Sequence, residues 1–418
     1  MSASLAKKKF FGFEIDERAC NRIATAIFFF MLGIGFSCMA TRLPDIKNAL
    51  GLSDKMYGTV LLMLPAGQFS AMFLTSWLVG KFGSRRILTL GFIVYPSALL
   101  LVGSVGELWQ LFCALYLFGM GGNLCNISVN TQAVGVEHLY GRPVMGFFHG
   151  MWSFAGFVGG LCSLAIVKHG FSVQQHFAMM LALCVTAVVF ISPYLVAHDL
   201  KTAPRTTPKK RFSRPDKFIV TLGFIAFCCM ACEGTMFDWS IIYFEDIIGI
   251  DGPILKRVGF ISFMSMMALG RFSSDKLIMK FGSIRVLKAS GVMIASGLAL
   301  AIIFPGMWTS APGFACVGLG VSSIVPLCYS LAGRSRTIKT GTAIASVSSI
   351  GFFGFLFGPP IIGYISEYSS LRWSFTLIAF VGFTVALLAP KLQVPEFKNS
   401  KDDAEKVEAE APKVAVLD

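Results

Sequence analysis

The chain has 418 residues, of which 55% are apolar and 14% are charged, and its mean hydropathy is +0.70. In a soluble domain roughly a quarter of the residues are charged, so this composition argues against a soluble protein and favours one that is embedded in lipid. The net charge of +13 would suit a nucleic-acid ligand, but the positive residues lie between apolar segments rather than on one basic face. We therefore expect no nucleic-acid partner.

Twelve apolar runs follow one another along the chain, each close to the ~20 residues that cross a bilayer as a helix. They cover residues 22–41, 56–79, 86–104, 108–135, 144–167, 177–197, 218–244, 257–279, 286–304, 312–332, 342–365 and 372–390. The sequence therefore predicts an all-α membrane protein with twelve transmembrane helices. We expect a cytoplasmic tail over 1–21, a six-helix bundle over 22–197, a cytoplasmic linker over 198–217, a second six-helix bundle over 218–390 and a disordered cytoplasmic tail over 391–418.

The lysine and arginine residues predict the orientation of these helices. Both ends of the chain and every second loop together carry 28 of the 36 basic residues, and cytoplasmic loops are the ones that are enriched in Lys and Arg. Both termini are therefore predicted to be cytoplasmic, in an inner membrane of the bacterial type.

The two halves of the chain repeat each other. The octapeptide that begins at Lys81 returns at Lys280 with six identities in eight, at an offset of 199 residues. The same offset places Gly119-Met-Gly121 on Gly318-Leu-Gly320. Two parallel halves with a solute site between them are the geometry that permits alternating access by rocking.

The loop after the second predicted span resembles the signature of the major facilitator superfamily, Gly-x-x-x-Asp-Arg/Lys-x-Gly-Arg/Lys-Arg/Lys. The matching residues are Lys81, Gly83, Arg85 and Arg86, whereas Ser76 and Gly80 replace the leading Gly and the Asp. The resemblance covers residues from about 20 to 392 and implies a secondary transporter built from two six-helix halves. It assigns Lys81, Arg85 and Arg86 to gating.

Three further stretches resemble one branch of that superfamily, the rhizopine-transport-like transporters. They are Ala40–Pro44, Glu233–Ser240 and Gly270–Phe272. The last is also similar to sugar–proton symporters of the fucose-permease type. This resemblance implies a small polar solute such as a sugar, a polyol or an amino-sugar derivative.

Eleven cysteines lie in or beside the apolar runs. The pair Cys229 and Cys232 has the spacing of a redox or metal motif, but no second pair and no histidine cluster accompanies it. Buried free cysteines behave as small apolar residues, so we expect neither a metal nor a cofactor. The sequence also contains no set of nucleophile and base, and we do not expect an enzyme.

Glu233 is the acidic residue that lies nearest the middle of a predicted span. A charge at the centre of a bilayer is costly, so a carboxyl that is retained there is a functional candidate. Its neighbours are Cys, Met and Phe, and desolvation among them favours the neutral acid. We predict that Glu233 binds and releases the coupling proton. A glutamate that only ties two helices together by a hydrogen bond is the alternative.

Other charged residues are candidates for gates. Asp238 is predicted to lie nearer the periplasm, where it either faces water at the mouth or pairs with Arg42, at the end of the first span, as an outer gate. An interfacial Arg42 whose side chain reaches up to the membrane surface is the alternative. Arg271 is placed in the cytoplasmic part of the eighth span, with Asp275 one helical turn later as an i,i+4 partner. With Glu137, at the end of the fourth span, these two residues are expected to latch the cytoplasmic side. An i,i+4 pair without a further role, and direct contact of Arg271 with the solute, are the alternatives.

Six side chains inside the predicted spans form the candidate solute-binding set: Asn123, Asn126, Asn130, His149, Trp152 and Gln68. The three asparagines have i, i+3 and i+7 spacing, which places them on one face of a helix. Amides donate and accept hydrogen bonds without titrating, and an aromatic ring offers a stacking surface, so the set suits a hydroxylated solute. Hydrogen bonding between helices is the alternative role.

Together these observations predict a secondary active transporter, proton-coupled, that moves a small polar solute. Its expected partners are the solute, protons and the lipid bilayer, and we expect a monomer. An exporter of a metabolite or drug on the same fold is the nearest alternative. A sensor that resembles a transporter but does not transport is weakly supported, because neither tail is large enough for a signalling domain.

Overall fold

A computed structural model describes residues 7–10, 12–140, 144–197, 199, 217–332, 335 and 340–392. The helices of the first half are α1 (Glu17–Ala49), α2 (Asp54–Leu61), α3 (Met63–Phe82), α4 (Ser84–Val102), α5 (Leu108–Tyr140), α6 (Met145–Lys168) and α7 (Val173–Ile191). Those of the second half are α8 (Lys217–Ile242), α9 (Val258–Phe281), α10 (Ser283–Ile303), α11 (Met307–Ser322), α12 (Ile324–Ala332), α13 (Thr340–Tyr368) and α14 (Leu371–Leu388).

These helices make twelve spans, because α2 and α3 form one interrupted span and α11 and α12 form another. Eleven of the spans are long and apolar enough to cross a membrane. The twelfth is α9, whose 24 residues reach ~36 Å at 1.5 Å per residue, which exceeds the ~30 Å hydrocarbon core. Charged residues such as Arg271 and Lys276 interrupt the apolar stretch of α9, which is why it is not among those eleven. The all-α membrane fold predicted from the sequence is confirmed.

The N-terminal segment is more ordered than a simple tail. Strands β1 (Lys7–Phe10) and β2 (Phe13–Asp16) pair as an antiparallel hairpin, and α1 begins at Glu17, five residues before the predicted first span. Asp16 caps this helix by accepting a hydrogen bond from the Arg18 backbone N–H at 3.0 Å. That hydrogen bond lowers the pKa of the Asp16 carboxyl. The predicted linker, except for Asp199 and Lys217, and the predicted tail beyond residue 392 lie outside the described residues.

The internal repeat has a structural cause. Gly83 and Gly282 adopt φ values of 85° and 83°, which are strained for residues with a side chain. Gly119 packs α5 against α3 so closely that a Cβ would collide with the Leu64 carbonyl oxygen. Gly318 does the same between α11 and α9 in the second half. The repeated glycines therefore keep the same turns and the same close helix contacts in both halves.

The two halves meet chiefly where α2 packs against α13 and where α6 packs against α9. α1 and α8 are the most buried spans, with 78% and 67% of their most apolar stretch inside the protein. We call the end of the bundle at Gly83 and Gly282 the basic end, and the opposite end, at Leu50 and Ile247, the far end. The core between the halves therefore runs from the basic end to the far end along α1 and α8.

Candidate functional site

A buried ion pair lies at the middle of the second half. The Arg271 Nη2 atom of α9 donates to Glu233 Oε1 of α8 at 3.0 Å, and the two side chains are 16% and 8% exposed. Side chains lean towards the N-terminus of their helix, and α8 and α9 run in opposite directions. Arg271 therefore leans from its position towards the far end and Glu233 leans towards the basic end, so that their charged groups meet at mid-depth.

This pairing gives Arg271 a contact that the sequence did not predict. Its partner across helices is Glu233, and it lies near the middle of α9. The side chain of Asp275 lies outside the described part of the structure. Glu137 contacts neither of the pair, because its Oε2 accepts the backbone N–H groups of Val144 and Met145 at 2.9 and 3.1 Å and caps α6. Arg271 and Glu137 are not in contact in this structure, and the latch at the cytoplasmic side stays a prediction.

The first half contributes the remaining contacts of the Arg271 guanidinium. Nη1 donates to Ser153 Oγ of α6 at 2.6 Å, and the guanidinium carbon lies 5.6 Å from the ring centroid of Trp152. The Trp152 ring lies 5.7 Å from Phe36 and 6.2 Å from Phe237, so aromatic rings of both halves surround it. The ion pair therefore lies at the interface between the halves, where a moving half must change its surroundings.

The other predicted solute ligands lie in α3, α5 and α6. Asn130 Nδ2 donates to the Asn126 carbonyl oxygen at 2.8 Å and to its Oδ1 at 3.2 Å, while Asn126 itself is exposed. Asn123 Oδ1 is buried and has no hydrogen-bond partner in the structure. His149 is exposed and lies edge-on to Phe29 at 5.5 Å. The Gln68 amide lies beside Gly122, next to Asn123 in α5.

At the far end, a second ion cluster joins the two halves. Asp45 of α1 accepts from Arg257 Nη2 at 2.5 Å and lies 3.7 Å from Lys256 Nζ. Arg42 is 3.4 Å from the same carboxylate and donates to the Phe171 carbonyl oxygen at 3.0 Å. The predicted pair of Arg42 with Asp238 is therefore wrong: Arg42 finds its acid one turn away on its own helix.

Asp238 instead lies in apolar surroundings between the halves. It lines a cavity with room for about one water molecule, together with Phe36, Leu61, Leu64, Pro65, Phe355 and Pro359. Its backbone carbonyl oxygen accepts from Tyr57 Oη at 3.2 Å. Asp238 therefore contributes to the contact between the halves through its backbone rather than through an ion pair with Arg42.

Further contacts close the far end. Asn48 donates to Glu245 at 2.9 Å, and the Lys55 backbone N–H donates to Glu367 at 3.2 Å. Asp54 accepts from Ser366. Together with the ion cluster, these hydrogen bonds join the two halves and close the far end.

The loop at the basic end shows where its predicted gating residues lie. The Lys81 ammonium lies 4.9 Å from the Trp77 ring centroid and 5.2 Å from that of Phe82, and Arg85 and Arg86 are half-buried and exposed. Asp199 accepts from the Ser84 backbone N–H at 2.6 Å. An acid from the end of the first half thus lies beside the loop whose own motif has Gly80 in place of Asp.

Two six-helix halves that enclose a charged pair define a transporter-type membrane protein, and the comparisons with known proteins say which family it belongs to. The sequence profile of the Major Facilitator Superfamily matches residues 25–334 and 260–417. An uncharacterised transporter of this type from Yersinia pestis is 31% identical over 88% of this chain and 95% of its own. The chain belongs to the Major Facilitator Superfamily and is a multi-pass membrane transporter of that family.

Two other similarities agree with this assignment. The membrane protein MosC of Rhizobium meliloti is 28% identical over 87% of this chain and 88% of its own. The solved structure of a D-xylose–proton symporter superposes with a TM-score of 0.72 at 13% identity, over 91% of this chain and 98% of its own. At that identity the likeness shows the fold, and the solute has to be inferred from the site itself.

Proposed function

We propose that the protein is a secondary active transporter that couples the movement of a small hydroxylated solute, such as a sugar, a polyol or an amino-sugar derivative, to protons through Glu233. The observation that supports this most strongly is the ion pair of Glu233 with Arg271. It is buried between two halves that must move relative to each other, and a buried charge that loses its partner costs roughly 3–5 kcal/mol.

Protonation of Glu233 would remove one charge of the pair and release Arg271. Because Arg271 also contacts Ser153 and Trp152 of the other half, the protonation state of one carboxyl acts on the interface between the halves. The side chains of Asn126, His149 and Trp152 supply amide, imidazole and aromatic surfaces for a solute in the same membrane region. This arrangement links the proton to the solute without a direct contact between them.

The far-end cluster is the gate in this proposal. The distribution of Lys and Arg predicts that the basic end is cytoplasmic, so the structure corresponds to a state closed towards the periplasm in a bacterial-type inner membrane. Alternating access then requires that Asp45 and Arg257 separate when the basic end closes. We propose that a monomer carries out this cycle.

Substitution of Glu233 tests the coupling. Reconstituted Glu233→Gln protein should lose accumulation driven by a pH gradient, because the amide cannot titrate, and should retain solute exchange down its own gradient. The assay is counterflow and pH-driven uptake of a labelled solute panel in the same proteoliposomes. Glu107→Gln, which removes a carboxyl in the loop between α4 and α5, is the matched control and should behave like the wild type. Full pH-driven accumulation by Glu233→Gln would leave Glu233 with a structural role.

One observation also suits an exporter on the same fold. A state that is closed at the far end exposes the site towards the basic end, which is where an exporter would load a metabolite or drug. Proteoliposomes with the gradient imposed in either direction distinguish the two proposals. Uptake with inward proton flow identifies an importer, and expulsion against inward proton flow identifies an exporter.

A further inference from the structure

The Arg271 guanidinium has more donors than the protein uses. Nη1 and Nη2 are bound to Ser153 and Glu233, whereas Nε is buried and has no hydrogen-bond partner among the side chains that the structure describes. An unused buried donor is unfavourable, and arginine presents its N–H groups as a planar fork that matches a carboxylate. The free side of this guanidinium therefore has the chemistry of an anion site.

Glu233 fills that site incompletely. The interaction is a single hydrogen bond, from Nη2 to Oε1 at 3.0 Å, whereas a carboxylate that approaches the edge formed by Nε and Nη2 accepts two. An incoming carboxylate can therefore replace Glu233 on Arg271 with a net gain of one hydrogen bond. The displaced Glu233 is then a buried carboxylate without a counter-charge, and it takes up a proton from solution.

The net charge of the site indicates whether the bound solute is an acid, a neutral molecule or an amine. With an acid bound, Arg271, the solute carboxylate and protonated Glu233 carry the same net charge as the original pair. A neutral solute leaves the pair intact and gives Glu233 no reason to change its protonation. An amine that captures Glu233 leaves a buried guanidinium, which cannot discard its proton. Only the acid keeps the site neutral and uses the proton.

We propose that the transported solute carries a carboxylate that binds Arg271, so that the substrate class is small hydroxylated acids such as sugar acids. This inference rests on the proposed function, because it takes Glu233 as the residue that accepts the coupling proton. Trp152 would pack against the carbon skeleton, since its ring lies beside the guanidinium.

Matched sets of solutes test the proposal on the full chain in nanodiscs. Each set has an acid, a neutral and an amine member: D-gluconate, D-glucose and D-glucosamine; D-galacturonate, D-galactose and D-galactosamine; D-glycerate, glycerol and 3-amino-1,2-propanediol. In at least one set the acid should bind about tenfold more tightly than its two relatives. In weak buffer, binding of that acid should be accompanied by the uptake of about one proton.

Three variants locate the effect. Glu233→Gln removes the competitor for Arg271, so acid binding should tighten about tenfold and proton uptake should vanish. The double variant Arg271→Gln with Glu233→Gln has no charge left at this pair, so it should keep its fold and lose the preference for the acid. Arg372→Gln, at the far end of α14, is the control and should bind as the wild type does.

Preference for the neutral or amine member, an acid preference that survives in the double variant, or failure of every acid to bind would overturn the assignment. If pH-driven uptake of a neutral solute is observed and is lost in Glu233→Gln, the proposal that the solute carries a carboxylate is overturned. The proposed coupling through Glu233 is then unaffected. Acid binding with pH-driven uptake that persists in Glu233→Gln would instead contradict the coupling.

Discussion

Two arginines of one helical segment show how differently a buried guanidinium can be held. Arg257, just before α9, is fully buried and donates to Asp45, to the Thr41 carbonyl oxygen at 3.2 Å and to the Pro253 carbonyl oxygen. Arg271, in the middle of α9, has one carboxylate contact, one hydroxyl contact and one unused donor. The nitrogens of Arg257 all have acceptors, which suits a fixed contact between the halves. One nitrogen of Arg271 lacks an acceptor among the described residues, which suits a residue that binds a ligand.

The two arginines, at the start and in the middle of one helical segment, connect the contact at the far end with the site at mid-depth. They are separated by roughly 20 Å along the helix axis at 1.5 Å per residue. Arg257 contacts α1 of the other half, and Arg271 contacts α6 of the other half. A displacement of α9 that opens one contact therefore acts on the other, which is the coupling that alternating access requires.

The largest effect is expected when Arg271 alone is neutralised. Arg271→Gln leaves Glu233 buried without its counter-charge, which should lower the free energy of unfolding by roughly 3–5 kcal/mol and abolish pH-driven uptake. Thermal unfolding in detergent and transport in liposomes measure the two effects. Adding Glu233→Gln should restore stability but not coupling, and a double variant as unstable as the single one would show that the pair is not the source of the loss.

Neutralising Asp45, the acid of the far-end cluster, should have an intermediate effect. Asp45→Asn weakens the contacts to Arg42, Lys256 and Arg257 together, so the state closed at the far end should lose about 1–3 kcal/mol. Hydrogen–deuterium exchange should then rise in the segments 45–55 and 245–257. Asp251→Asn, at an exposed position of the same end, is the control. Unchanged exchange in Asp45→Asn would mean that the apolar contacts alone hold this end closed.

Replacement of each arginine by lysine sharpens the comparison directly. Lysine keeps the charge but not the planar fork. Arg257→Lys should loosen the far end, because three acceptors depend on that fork, and should leave solute binding nearly unchanged. Arg271→Lys should retain the pair with Glu233 and the fold, yet lose most of the solute affinity. Hydrogen–deuterium exchange at the far end should change mainly in Arg257→Lys, and solute binding should change mainly in Arg271→Lys. If both variants changed both quantities equally, the two arginines would not have distinct roles.

The smallest effect is expected at Lys256. Its ammonium lies 2.9 Å from Glu245 and 3.7 Å from Asp45, but Arg257 already compensates Asp45. Lys256→Gln should therefore cost about 0.5–1 kcal/mol and only slightly raise exchange at the far end. A loss as large as that of Asp45→Asn would make Lys256 the main cation of the gate.

The sequence by itself determined the spans, the repeat and the residue types at membrane depth. Apolar runs of about 20 residues and an offset of 199 between two octapeptides are local patterns, and the glycines that repeat do the same work in both halves. Glu233 was recognisable because a carboxyl in an apolar run demands a reason. Ser153 was missed, because a serine in a span carries no signal until an arginine is seen to donate to it.

Only the tertiary structure decided which charges meet. Arg271 contacts Glu233, because two antiparallel helices bring their leaning side chains together at one depth. Arg42 contacts Asp45 rather than Asp238, and Glu137 caps α6. A sequence pattern shows that a buried charge needs a partner, but the partner is chosen by distances between helices, and these depend on how closely glycines such as Gly119 and Gly318 allow the helices to pack.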